Sequence, residues 1–258
     1  MLQFKSLGSG STGNATLVAA RQSGMSTRLL VDCGLGIKQL DERLAQAGTS
    51  ANQIDGIFIT HEHADHIGCA RALALRERIP VWMSRGTHAA LNTPDFDGLL
   101  QIASDGVAIE LGALQVMPFT VPHDAREPLQ LVCRHDQARL GIVTDLGHCS
   151  THVMQHLAGC QSALLEFNHD TTLLAQSAYP PFLRQRIGGN YGHLSNDAAA
   201  AMVQGLLTHG LQCLAAAHLS RQNNRPELVR QSLQALPGIQ RLDLHIADEI
   251  EGTAWLDA

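Results

Sequence analysis

The chain has 258 residues, 45% of them apolar, and a formal charge of −6, enough to bury a sizeable core as one large domain or two small ones. The mild acidity argues against a surface coated in nucleic-acid-binding charge, no run approaches the roughly 18 apolar residues of a membrane span, and Met1-Leu2-Gln3-Phe4-Lys5 lacks the apolar stretch of a signal peptide, so a cytoplasmic location is expected. Six cysteines without a CxxC pair argue against a disulfide framework or a thiolate zinc site, and are expected as buried free thiols.

Leu2 to Leu7 alternates like a strand and runs into Gly8-Ser9-Gly10-Ser11-Thr12-Gly13, a match to G-x-G-x-x-G with Asp32 about 20 residues on, as in a dinucleotide site. A dinucleotide fingerprint needs a helix after the third glycine. Thr16 and Val18 are β-branched, and Gly24 falls where that helix should still run, so the pattern favours a meander of three strands with a turn at Ser23-Gly24. Arg28 to Val31 is the third strand, ending at Asp32. Gly36 to Ala47 has helical spacing through Ile37, Leu40, Leu44 and Ala47. Ile54 to Thr60 is a strand, and Ile67, Ala70, Leu73 and Ala74 trace a helix that must stop by Pro80. Val81 to Met83 is a short strand, followed by a loop at Pro94, Asp95 and Asp97 and short strands near Ile102 and Val107.

The segment Thr60-His61-Glu62-His63-Ala64-Asp65-His66 puts four potential metal ligands within six residues directly after Ile57-Phe58-Ile59. Packed together without a cation, these groups would lose hydration and repel when protonated, whereas a divalent metal suits imidazole and carboxylate. His61-Glu62 begins the HExxH zinc helix, but its last position holds Asp65. His61 and His63, two apart, share a face only in extended chain. A strand end presenting His61 and His63 and a turn supplying Asp65 and His66 suggest two metals.

In the second half apolar runs repeatedly end in polar groups: Leu114 to Val121 before His123, Leu140 to Thr144 before Asp145, Ala163 to Leu165 before Glu166, and Cys213 to Ala217 before His218. With the first cluster present, His123, Asp145 and His218 are candidate ligands, because sheet proteins collect metal ligands from several strand ends. Helices fit at Ser150 to Leu157, Ser195 to Leu207 with Ser195 as cap, and Pro226 to Leu236, and the last strand is Leu242 to Ile246. No internal repeat, linker or low-complexity tract is evident.

The run Thr-His-Glu-His-Ala-Asp-His resembles the THxHxDH signature of metallo-β-lactamase-fold hydrolases. His123, Asp145 and His218 follow in that family's order. The resemblance implies an α+β protein, an αββα sandwich of two mostly antiparallel sheets flanked by helices, as a single domain over 1–258. It also implies a first metal on His61, His63 and His123, a second on Asp65, His66 and His218, and Asp145 bridging. The ions would be divalent transition metals, zinc foremost, with manganese, iron or nickel as alternatives.

Blocks such as Ser6 to Asn14, Leu30 to Gly34, His123-Asp124, Glu166 to Asp170, Gly192-His193-Leu194-Ser195-Asn196 and His218-Leu219-Ser220 with Asn223-Asn224 are similar to the YycJ/WalJ branch, and the last two to tRNase Z. The implied activity is phosphodiester hydrolysis, nuclease action on DNA ends foremost, with Asp65 or Asp145 as proton acceptor and a Glu166–His193 pair protonating the leaving oxygen. Asp32 and His169 are expected behind the ligands, and Ser9, Ser11, Asn14, Asn223 and Asn224 as donors to phosphate. Two departures stand out: no long inserted arm of the tRNase Z kind, and His148 shortly after Asp145 with no role. The alternatives are a hydrolase of small thioesters, lactones or cyclic nucleotides on the same metals, and a metal-binding regulatory module without turnover.

Overall fold

A computed structural model describes residues 1–258. The first half opens with strands β1 (Leu2–Gly8), β2 (Ala15–Gln22) and β3 (Met25–Val31), followed by helix α1 (Ile37–Gln46), β4 (Gly56–Phe58), α2 (Ala64–Ile67), α3 (Ala70–Glu77), β5 (Val81–Ser84), α4 (Arg85–Ala90) and β6 (Leu100–Ala103). The second half contains β7 (Ile109–Leu111), β8 (Leu114–Thr120), β9 (Leu129–His135), β10 (Ala138–Val143), α5 (Thr151–Leu157), β11 (Ser162–Glu166), α6 (Thr171–Gln176), α7 (Pro181–Ile187), α8 (Asn196–Thr208), β12 (Cys213–Ala217), α9 (Pro226–Gln234), β13 (Asp243–Ile246) and β14 (Leu256–Asp257).

Two seven-stranded sheets result, ordered β14-β1-β2-β3-β4-β5-β6 and β13-β12-β11-β10-β9-β8-β7. The αββα sandwich is as the resemblance implies, but the sheets are mixed rather than mostly antiparallel. Three pairings of the first are antiparallel and three parallel, and the second divides the same way. The cause is connectivity: after each meander the chain crosses by helices, and a helical crossover returns the next strand parallel. The two halves therefore repeat one plan that the sequence itself does not display.

Alternation along β3 shows how the layers are specified. Leu29 and Val31 enter the inter-sheet layer with Phe4, Phe58, Leu131, Ile142 and Leu164, whereas Leu30 faces Leu40, Leu44 and Leu73 of the helices. The second sheet packs its other face, with Val143, Leu165 and Leu214, on Val153, Val203 and Val229. Truncating a fully buried residue such as Phe58 to alanine would cost about 3–5 kcal/mol.

The meander forms as the sequence predicts, with Ser23 (φ 51°) and Gly24 (φ 82°) giving the two positive-φ residues of a tight hairpin turn. Ser150 and Ser195 cap α5 and α8, each accepting a hydrogen bond from the backbone N–H three residues on. The expected helix from Ile67 divides at Gly68 into α2 and α3. The last strand is β14, which pairs with β1 at the sheet edge, rather than Leu242 to Ile246. Strand β9 and helices α4, α6 and α7 are additions to the sequence reading.

Candidate metal centre

Parallel strands share an edge at their C-terminal ends, and the polar groups collect there. Asp32 follows β3, the loop 59–66 follows β4, Thr144-Asp145 follows β10, Glu166 ends β11 and His218 follows β12. The chain is drawn tight here. Asp32 (φ 62°) and His218 (φ 56°) both adopt left-handed backbone, a local cost of about 1–3 kcal/mol each that surrounding contacts must offset. Beside Asp32, Gly34 lies so close to α2 that a Cβ would sit 1.8 Å from the Asp65 carbonyl oxygen.

Four donor groups that share members converge, each with ligand atoms within 4.8 Å of one another: His61, His63 and His123; Asp65, His66 and His218; His61, His66 and Asp145; and Asp145, Glu166, His193 and His218. Their orientation is set from outside. His66 Nδ1 donates to Asp32 Oδ2 at 2.7 Å, His123 Nδ1 to the Gly192 carbonyl at 3.0 Å, and His218 Nδ1 to the Thr144 carbonyl at 2.8 Å. His61 Nδ1 donates to Thr60 Oγ1 at 3.0 Å, and that hydroxyl donates to Asp32. Four imidazoles thus spend Nδ1 outward and turn Nε2 inward, the arrangement by which a protein fixes the tautomer of a metal ligand.

At the centre, His61 Nε2 and His63 Nδ1 are 3.0 Å apart, and His63 Nδ1 and His123 Nε2 are 3.3 Å apart. Asp145 Oδ2 is buried without a hydrogen-bond partner, with His66 Nε2 3.0 Å away. Nitrogens crowding nitrogens beside an orphaned carboxylate oxygen fit a cation, and protons alone serve the site poorly. Burial, with His66 beside it, pushes His61 well below the ordinary histidine range. Burial likewise lowers His123, against the pull of Asp145. His66 goes the other way: burial works to lower it, but Asp145 and Asp32 outweigh burial and bring it to about 10. His218 is raised too, Asp145, Asp65 and Glu166 overcoming its burial. The buried carboxylates demand positive charge that only some of the crowded imidazoles can carry.

Glu166, fully buried, meets His193 Nδ1 at 2.7 Å through Oε1, and its Oε2 accepts from the backbone N–H groups of Leu146 (2.9 Å) and Leu194 (3.1 Å). Burial disfavours charge on His193, yet Glu166 and Asp145 raise its pKa. A cleft of about 360 Å³ opens over these groups, lined by His63, Asp65, Asp145, His193, His218 and Ser11 among others.

Of the five expected phosphate donors, only Ser11 lines this cleft. Ser9 Oγ accepts from the His218 backbone N–H at 2.7 Å, and Asn14 bridges the Gly10 backbone to Asp65 and His66. Asn224 donates to the Phe167 carbonyl at 2.7 Å and exchanges hydrogen bonds with Asn196, and Asn223 is fully buried against Ser220. Burial turns these four toward the protein: Asn14, Asn223 and Asn224 spend amide donors on it, and Ser9 holds the His218 backbone as an acceptor. His169 is also displaced from its expected place: its ring makes no hydrogen bond to a ligand residue and lines a second cleft with His193. Tyr179 and Arg186 line the metal cleft and escaped the sequence reading. The signal available was Pro180-Pro181 at the start of α7, a helix with no buried residue and hence no apolar stripe.

Fold and donor set together define a metal-dependent hydrolase, held to divalent metals by its His/Asp clusters. Residues 27–211 match the beta-lactamase superfamily domain. The chain is 34% identical to exodeoxyribonuclease YycJ of Bacillus anthracis over 90% of its length and 88% of the relative's. It is 31% identical to exodeoxyribonuclease WalJ of Streptococcus pneumoniae, covering 98% and 96%. The metallo-beta-lactamase fold protein YhfI from Bacillus subtilis superposes with a TM-score of 0.76 over the whole of both chains at 14% identity. The chain belongs to the beta-lactamase superfamily, in its YycJ/WalJ branch. No helix is long and apolar enough to cross a membrane.

Proposed function

We propose that this chain, as one domain over 1–258, is a phosphodiesterase that cuts nucleic acid, DNA ends foremost. The observation that carries the reading is the Glu166–His193 pair beside the metal cluster, a buried carboxylate holding an imidazole 2.7 Å away on the wall of the cleft. Phosphodiester cleavage expels an alkoxide, and a positioned acid contributes about 10²–10⁴-fold to such a step. Both relatives are named exodeoxyribonucleases, which supports the substrate class.

His61, His63 and His123 would hold one ion, Asp65, His66 and His218 the other, and Asp145 would serve both, with zinc the first choice of metal. Bound there, the ions supply Lewis acidity that lowers the pKa of water toward about 7 and steadies the attacking and leaving oxygens of an in-line displacement. Asp65, partly open to the cleft, takes the proton of the attacking water as its oxygen bonds to phosphorus. The departing oxygen keeps the electron pair of the broken P–O bond and receives a proton from His193, whose Nδ1 is engaged by Glu166, leaving Nε2 as the donor. Asp32, through Thr60, His61 and His66, keeps the imidazoles in register. Six unpaired cysteines support a reducing, cytoplasmic setting.

The test is a substrate panel with metal analysis. Bis-p-nitrophenyl phosphate and DNA ends should be cleaved, thioesters and β-lactams far more slowly, by protein carrying about two metal equivalents. Robust thioester or lactone turnover without diester cleavage would replace this reading with the small-substrate hydrolase. Bound metal with no turnover would favour the regulatory module.

A further inference from the structure

A second cleft, of about 570 Å³, shares His193 with the metal cleft. Its size is that of a small-molecule site. Its walls come from the loop after Asp145, which supplies His148, and from the segment 169–198, which supplies His169, Arg184, Asn190 and Ser195. We propose that it is a nucleoside subsite, receiving the nucleoside attached to the departing oxygen; this rests on the phosphodiesterase reading above.

Three observations converge. The first is chemical direction. If His193 protonates the leaving oxygen, that oxygen lies on the His193 side of the scissile phosphorus, and whatever it carries must extend into the space beyond. The second cleft, which meets the metal cleft at His193, offers such a space. The second is the character of the lining. Arg184 is its one fixed charge and already donates to the Ala175 carbonyl, and no carboxylate faces it, so the chemistry suits a neutral heterocycle with donors and acceptors better than a further phosphate. His169 lines the cleft, is only 3% exposed, and has a buried Nδ1 with no hydrogen-bond partner in the protein.

The third is a ring on the lining, His148, with a second ring, Tyr191, standing beside it. His148 is anchored through Nδ1 to the Asn190 carbonyl at 2.8 Å and stands edge-on to Tyr191, ring centroids 6.4 Å apart. Tyr191, 63% exposed, is one of only two aromatic residues among the exposed large hydrophobic side chains; the other, Phe182, lies on α7 of the same segment. Exposed rings are how proteins hold bases without regard to sequence. The subsite gives His148 a role: holding the base of the departing nucleoside.

Deoxyadenosine and thymidine carry no phosphate, so they lack the group the metal cleft is proposed to hold, and the His148 variants assign their binding to this cleft. In equilibrium dialysis against the metal-loaded protein each should bind one per chain and inhibit bis-p-nitrophenyl phosphate hydrolysis competitively. His148→Ala and Tyr191→Ala, both on the surface, should each weaken that binding about tenfold. His148→Phe, which keeps a ring face, should restore most of it. No saturable nucleoside binding at millimolar concentration, or equal affinity in the wild type and both alanine variants, would overturn the subsite. Dialysis reads the subsite whether or not diesters are turned over, so failure of the phosphodiesterase reading shows separately, as absent diester cleavage.

Discussion

Asp32 and Asp145 leave corresponding strands in the two halves, β3 and β10, each the last of a meander before the helical crossovers begin. They grip one imidazole from opposite sides. Asp32 takes His66 Nδ1 at 2.7 Å from outside the cluster, and Asp145 faces His66 Nε2 at 3.0 Å from within. Equivalent places in a repeated plan have been given different work. The first-half carboxylate spends all its capacity on protein, accepting from the Thr60 backbone and hydroxyl as well as from His66. The second-half carboxylate keeps an oxygen orphaned. A buried carboxylate with saturated hydrogen bonds holds its neighbours in place, whereas one left unsatisfied among imidazoles is available to a cation.

Breaking the inner member should have the largest effect. Asp145→Asn removes a charge that both proposed metal sites share, so metal content should fall at both and diester cleavage should drop below detection. Elemental analysis showing two retained equivalents would remove Asp145 from the ligand set. Next comes the acid. His193→Gln should cost about 10²–10⁴-fold on a substrate with a poor leaving group and far less with p-nitrophenolate, which departs without protonation. Equal losses on both substrates, or loss of metal, would assign His193 another job. The outer carboxylate ranks third. Asp32→Asn keeps the shape but weakens the hold on His66 and Thr60, and should lower metal affinity or activity about 10–100-fold. Titration with a competing chelator would measure it; an effect as large as that of Asp145→Asn would erase the inner–outer distinction.

The same contrast explains what the sequence disclosed. In the first half His61, His63, Asp65 and His66 fall within one loop after a short apolar strand, so their chemistry is visible in six consecutive positions. In the second half one group follows each strand, tens of residues apart, and their convergence is a property of parallel topology rather than of spacing. His123, Asp145 and His218 were legible because apolar runs end beside them. Strand β9 is hidden for a related reason: almost wholly buried, it lacks alternation, and Gln130 interrupts its apolar run to bond Thr144 in the interior. Helix α7 buries no residue and so has no periodic stripe to read. The asparagines misled because amide donors near a ligand look alike in sequence whether they face the ligand or the backbone. Only burial separates them.

The smallest predicted effect tests that separation. After β12 the chain must turn at His218 and hold its left-handed backbone, and the loop that follows is stitched to the loop after β11. Asn168 Nδ2 donates to the His218 carbonyl at 3.1 Å, the Asn224 backbone N–H bonds to the Ser220 carbonyl, and the Asn224 amide reaches Phe167 and Asn196. Asn224→Ala deletes the last of these and leaves the buried Phe167 carbonyl and Asn196 amide without that partner, at a cost of about 1–3 kcal/mol. For a chain of this length that corresponds to a fall in melting temperature on the order of 5 °C. The nearest proposed metal ligand in the chain, His218, lies at the start of the same loop, so any effect on catalysis should come with weakened metal binding and should shrink when metal is in excess. A contact to substrate would behave otherwise: KM for a diester would rise at saturating metal while the melting temperature stayed near that of the wild type. Thermal melting and KM measured on one preparation, with excess zinc, therefore distinguish an asparagine that holds the second-half loop from one that holds phosphate, and the buried geometry predicts the former.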